Sequence, residues 1–205
     1  MAKIKHTKTE LKAQSDALKR FQRFLPMLQL KKQQLQAEIA AISTRIDEVS
    51  MREQSARASL SGWVKLFSTP DESAQHLVAM DRIVTDSSNI AGVTIPVFKS
   101  IATTVADLDL FASPAWFDDA TAMLTAILNL KAERSVLERQ RELVVLELNT
   151  TSQRVNLFEK VKIPECRENI RIIKIAIGDE QTASVTRGKI AKSRSRKAEK
   201  EEAAA

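Results

Sequence analysis

Apolar residues recur in alternating steps of three and four from Leu18 to Val49. The ladder is Leu18, Phe21, Leu25, Leu28, Leu35, Ile39, Ile42, Ile46 and Val49, and Lys32 is its one polar member. An a/d spacing held this long predicts a coiled-coil helix. Leu11 extends it backward, and Ala56, Leu60 and Trp63 extend it forward, with Glu53 polar in the same register. A helix from about Thr9 to about Leu60 would run roughly 75 Å, a length that suits a shaft and not a compact domain. Pro26 lies inside the ladder, where it removes a backbone donor and crowds the carbonyl of Gln22. The phase is unchanged across it, so a bent continuous helix is expected over two shorter helices.

A second ladder begins at Trp116. It reads Trp116, Ala120, Met123, Ile127, Leu130, Leu137, Val144, Leu148, Thr151, Val155 and Phe158, with Arg134 and Arg141 interrupting it. Aliphatic stems let arginines cover apolar surface while the charge reaches water. The seam resumes as Ile163, Cys166, Ile170, Ile173 and Ile177. The step from Phe158 to Ile163 is longer than the 3–4 rule allows, and Pro164 sits at the slip, so a kink or local rewinding is expected there. Gly178 could end or loosen the helix.

Between the ladders the texture changes. Ser68-Thr69-Pro70-Asp71 reads as a turn or helix start, and His76 to Val84 is ambiguous between helix and strand. Asp86-Ser87-Ser88-Asn89 reads as turn-like. The β-branched run Ile90 to Phe98, with Pro96 inside it, reads as an edge strand. Asp107, Asp109, Asp118 and Asp119 suit caps and solvated faces better than a metal site, and Ser113-Pro114 marks the expected start of the second helix. The fold class is therefore mainly α: a long antiparallel two-helix coiled-coil hairpin with a small central α/β or β-hairpin segment. The boundaries expected are 1–67 and 115–180 for the helices, 68–114 for the centre, and 181–205 for a basic helix extension or tail.

Composition agrees with this. Apolar residues make up 43% and aromatics 4%, with Gly 4 and Pro 5, too few of either for a fold rich in tight turns. The net charge of +6 fits an acidic partner, a nucleic acid or an anionic membrane without choosing among them. The basic stretch Arg187, Lys189, Lys192, Arg194, Arg196 and Lys197 suits a solvated tail, contact with an acidic partner, or nucleic acid; no nucleic-acid-binding fold accompanies it. No apolar run reaches the roughly 20 residues needed to span a bilayer, so no membrane insertion is expected. There is no phosphate-binding glycine loop and no zinc spacing around His6, His76 or Cys166. Cys166 lies on the apolar ladder and reads as a small core residue. No catalytic, cofactor or metal site is expected.

The residues also carry a resemblance. Thr7-Lys8-Thr9-Glu10-Leu11 and Leu25-Pro26-Met27-Leu28-Gln29-Leu30-Lys31-Lys32-Gln33-Gln34-Leu35-Gln36 open it. Asn89-Ile90-Ala91-Gly92-Val93-Thr94-Ile95-Pro96-Val97-Phe98 carries it through the centre. Arg154 to Pro164, Glu168-Asn169-Ile170-Arg171, Ile177-Gly178-Asp179-Glu180 and Arg187 to Lys192 complete it. In family order and over nearly the whole chain, these pieces resemble the D subunit of the V/A-type (vacuolar/archaeal-type) rotary ATPases. Many members carry Arg-Gly and Lys-Arg-Asp near the early turns of the first helix. Here the chain has Phe24-Leu25-Pro26-Met27-Leu28 and Leu30-Lys31-Lys32-Gln33, which resembles the bacterial branch.

The resemblance implies a non-catalytic central-stalk rotor subunit without cofactors, peripheral on the cytoplasmic side of the membrane. Its paired termini would enter a ring of A and B subunits, and its other end would meet the small F subunit and the socket subunit on the membrane rotor. The residues expected at the ring are Lys3, Lys5, Lys8, Lys12, Arg187, Lys189, Lys192 and Arg194. Ile90, Val93, Ile95, Val97 and Phe98 are expected to pack the far end. A coiled-coil adaptor without rotary partners, or a basic-tailed nucleic-acid-binding coiled coil, would share the ladders.

Overall fold

The computed structural model describes residues 5–63, 78–105 and 116–202. In chain order these form α1 (Lys8–Leu60), a 3-10 turn (Ser61–Trp63), β1 (Val78–Ile90), β2 (Val93–Val105), α2 (Phe117–Asn156), a π-helical turn (Leu157–Lys162) and α3 (Ile163–Glu202). The fold is mainly α with one two-stranded antiparallel sheet. Ser68 to Asp71, His76, Asp107, Asp109 and Ser113-Pro114 lie outside the described residues. The chain forms two compact units, one of Met1–Leu30 with Ser152–Ala205, the other of Lys31–Thr151.

Thr7 caps α1: its Oγ1 accepts the Glu10 N–H at 3.2 Å, and its carbonyl accepts the Leu11 N–H at 3.0 Å. With Glu10 in the first turn this is the residue pattern of a capping box. The helix runs unbroken through Pro26, whose ring is exposed. A mid-helix proline still forfeits one hydrogen bond. Pro26→Ala is therefore expected to stabilise the protein by about 1–3 kcal/mol, read as a higher melting temperature.

In the larger unit, α1 and α2 run antiparallel. Lys31 meets Glu147, Arg52 meets Glu133 and Arg134 meets Glu53, so numbers fall on α2 as they rise on α1. The core between them is Leu35, Ile42, Ile46, Val49, Leu137 and Val144, joined by Ile95 from β2. Leu35 and Val144 have no exposed surface. Ile39, Leu130 and Leu148 are half-buried against this core, and Ile127 is buried. Arg141, read as a seam position, is exposed; Gln140 is buried beside it. The reason is the hairpin, which lies against α2 and widens its buried face beyond the two-position seam.

That hairpin corrects two readings. Asp86 to Asn89 is strand, not turn, and His76 to Val84 resolves as strand from Val78 onward. The turn is Ala91-Gly92, with φ of 51° and 84°. Two central residues at positive φ match the twist of paired strands, and the Asn89 side chain closes the turn by accepting the Gly92 N–H at 2.9 Å. The register shifts twice, between Met80 and Arg82 and between Val84 and Thr85. Asp81 is the extra residue on β1 and Lys99 the extra residue on β2, so the second bulge restores the pairing that the first displaced. Bulges of this kind bend a ribbon and raise its twist.

In the other unit, the first turns of α1 pack on the end of α2, the π-turn and the start of α3. Phe21 and Phe158 meet at 5.0 Å between ring centroids, their planes tilted by 49°. Val155, Ile163, Cys166 and Ile173 are buried, and Leu18, Phe21, Leu25, Leu28, Phe158, Ile170 and Ile177 are half-buried. The expected rewinding is the π-turn: the Ile163 N–H donates to the Phe158 carbonyl, five residues back. One inserted residue brings both Phe158 and Ile163 to the seam, and Pro164, with no N–H to give, follows where the ladder of bonds is already interrupted. Gly178 does not end the helix; α3 continues to Glu202. Glycine lowers helix propensity but carries no steric bar to the right-handed region.

Candidate functional site

Two features stand out from the packing. The first lies on the seam of the larger unit, where the polar breaks in the two ladders meet. Glu53 Oε2 accepts from Arg134 Nη1 at 2.9 Å, and Glu53 Oε1 pairs with Arg57 Nη2 at 2.6 Å. The Glu53 side chain is only 4% exposed, against 35% for Arg134, which also reaches Glu138 at 3.4 Å. Both oxygens of a buried carboxylate are thus paired, as burial of a charge requires. In the sequence Glu53 and Arg134 are separate interruptions of the two ladders. Their pairing has a signal only when the two ladders are aligned antiparallel.

Beside this pair, α1, α2 and the hairpin together line a cavity of about 480 Å³. Ile95 enters the apolar core, and Ile90, Ala91 and Val93 pack against it. Gln140 Nε2 donates to the Pro96 carbonyl at 2.5 Å. Val97 is exposed at its edge and Phe98 half-buried. At the open end of the hairpin, Val78 packs with Trp116 and Leu124 on buried Phe117 and Ala120. On the solvent side, Asp86 accepts the Ser87 N–H at 2.8 Å and pairs with Lys99 at 3.3 Å. The backbone bond first, and then the lysine, hold this carboxyl below its ordinary value.

The second feature is the end of α3. His6, Thr7 and Lys8 lie beside Ile177, Glu180, Gln181 and Ser184, so α3 passes the start of α1 and goes on. Every residue from Gly178 to Lys197 is exposed. Arg187, Lys189, Lys192 and Arg194 are on this helix and exposed, as are Lys5, Lys8 and Lys12 near the start of α1; Lys3 lies outside the described residues. No acidic residue interrupts the stretch from Gln181 to Lys197. Val185 and Ile190 are 59% and 48% exposed on the same helix. Thr182, Thr186 and Ser193 turn their hydroxyls back to carbonyls of Gly178, Thr182 and Ile190.

Cys166 is buried on the seam of its unit. Burial, and then neighbouring Glu165, push its thiol above the ordinary value, with Lys162 opposing. A raised thiol favours the fold while protonated. Stability should therefore be intact below the ordinary value of 9.0 and decline as pH climbs toward the native one. Thiolate is the reactive form, so alkylation followed by mass spectrometry at neutral pH should be slow in the folded protein and fast in denaturant. Among the described residues no cluster of His, Cys, Asp and Glu could hold a metal ion, and no helix is long and apolar enough to cross a membrane.

An antiparallel helix pair with a docked β-hairpin in one unit, and a long basic helix in the other, define a mainly helical, hairpin-bearing class. Comparison with known proteins narrows it. The family profile of the ATP synthase D subunit matches residues 10–193. The V-type ATP synthase D subunit of Borreliella burgdorferi is 46% identical over 195 residues, covering 94% of this chain and 95% of that one. Its counterpart in Chlamydia muridarum is 31% identical over 193 residues, covering 93% and 95%. The chain belongs to the ATP synthase D-subunit family, as the resemblance read from its residues implied.

Proposed function

We propose that this protein is the central-stalk rotor subunit of a V/A-type ATPase. It transmits torque between a nucleotide-hydrolysing or -synthesising ring of A and B subunits and an ion-translocating membrane rotor. The near full-length match to D subunits of V-type ATP synthases carries the reading. The physics supports it: a shaft needs helices closed on their own apolar seam and a polar exterior that can turn against a ring. In this reading the protein is non-catalytic by itself and peripheral on the cytoplasmic side. The basic end of α3, with Lys5, Lys8 and Lys12 near it, faces acidic surfaces inside the ring. The hairpin end meets the small F subunit and the socket subunit.

The test is reconstitution of the full chain with A and B subunits, measuring entry into the ring and ATP turnover. Entry with raised turnover is expected. A truncation after Gly178 should be captured roughly tenfold more weakly, equivalent to about 1.4 kcal/mol, and the deficit should shrink as salt screens the intact contact. A chain that stays outside the ring would instead favour a coiled-coil adaptor. Salt-sensitive DNA or RNA binding lost with residues 187–197 would favour the nucleic-acid reading.

A further inference from the structure

The geometry points to the Glu53–Arg134 pair as a register lock: it selects one alignment of α1 against α2 out of several that the apolar seam alone would accept. The seam of the larger unit is repetitive. Ile39, Ile42, Ile46 and Val49 on α1 face Leu130, Leu137, Val144 and Leu148 on α2. A slide of one heptad keeps apolar side chains opposite apolar side chains, so hydrophobic burial discriminates little between alignments.

The other polar contacts are poorly suited to the task. Lys31–Glu147 and Arg52–Glu133 leave their side chains between 30% and 59% exposed, where ion pairs contribute little. Gln140 ties the hairpin to α2 through Pro96, but the hairpin reaches α1 through the apolar cluster. Among the described residues, only Glu53 and Arg134 join α1 to α2 through a carboxylate that is almost wholly buried. A heptad slide one way carries Glu53 onto Ile127. A slide the other way carries it onto Arg141 but leaves Arg134 against Leu60. Either way a charge on the seam loses its cross-helix partner and keeps only the one on its own helix, Arg57 for Glu53 or Glu138 for Arg134, and a single buried polar position is known to fix register in this manner.

The test separates selection from stability. Spin labels at exposed Gln34→Cys and Ser135→Cys, in a Cys166→Ser background, report the axial offset of the two helices. The intact pair should give one distance. Glu53→Leu/Arg134→Leu should fold with an unchanged or higher melting temperature and give a second distance population, displaced because one heptad shifts the offset by about 10 Å. Glu53→Met/Arg134→Met, with more adaptable side chains, should do the same. A folded double variant with the single native distance overturns the lock. So does failure of both double variants to fold, since the pair would then be supplying stability instead of selecting an alignment.

Discussion

Arg134→Ala is expected to destabilise the protein by about 3 kcal/mol, read as a lower urea midpoint with little change in slope. The substitution removes a guanidinium that Glu53 accepts from at 2.9 Å, and Glu53 has only 4% of its side chain exposed. A buried carboxylate that loses a partner keeps its desolvation cost and forfeits its compensation. The value falls at the low end of the range for broken buried pairs because Arg57 still reaches the other oxygen at 2.6 Å. Glu53→Ala should cost less than Arg134→Ala. It deletes the buried charge itself and leaves an arginine that is one-third exposed and already near Glu138. Arg52→Ala, which breaks a longer and more exposed pair, should lie within about 1 kcal/mol of wild type. If the Arg52 and Arg134 variants prove equally stable, the distinction between seam and surface pairs is wrong for this protein.

Ile42→Ala is the other large effect, at about 2–5 kcal/mol. Ile42 is 2% exposed and belongs to the cluster that joins α1, α2 and β2. The cost has two parts, the lost transfer of three carbons from water and the void left behind. The void decides where in the range the value falls. Residues of three elements, among them Leu35, Val49, Ile95 and Val144, share this cluster, so three backbones would have to move together to close the void, and the upper half of the range is expected. Hydrogen exchange gives a second readout. Amides of β2 around Ile95 should exchange faster in this variant, while those around Ile173 in the other unit should change little.

The helical part of this architecture was legible because coiled coils write themselves into sequence with a period. The ladder positions from Leu35 to Val49 are buried or half-buried, and the irregular step at Phe158 corresponds to the π-turn. What the period could not carry was anything that depends on a third element. Gln140 is buried because the hairpin covers it, and nothing local in α2 distinguishes it from Arg141 beside it. Asp86 to Asn89 looks like a turn by composition, yet it is strand because Ala91-Gly92 supplies the tighter reversal and the polar side chains have solvent to face. Gly178 could end or loosen a helix on sequence, but ending one this way takes a left-handed residue and not merely a glycine. Glu53 and Arg134 were each visible as faults in a pattern; their meaning needed the fold-back that brings the faults together. The basic residues from Arg187 onward were plain in the sequence, which left a helix extension and a tail open; they lie on α3.

Protein engineers usually choose the reversal of a surface β-hairpin for an inserted tag, since such loops are normally the part a fold can spare. Here that choice would be a poor one. Ala91 packs its methyl group against the same cluster as Leu35 and Val144, although it holds a backbone angle, φ of 51°, that alanine adopts reluctantly. The reversal is thus a plug and not a handle. A peptide spliced between Ala91 and Gly92 would have to pull the plug to make room, and what it labelled would be a helix pair with its brace undone.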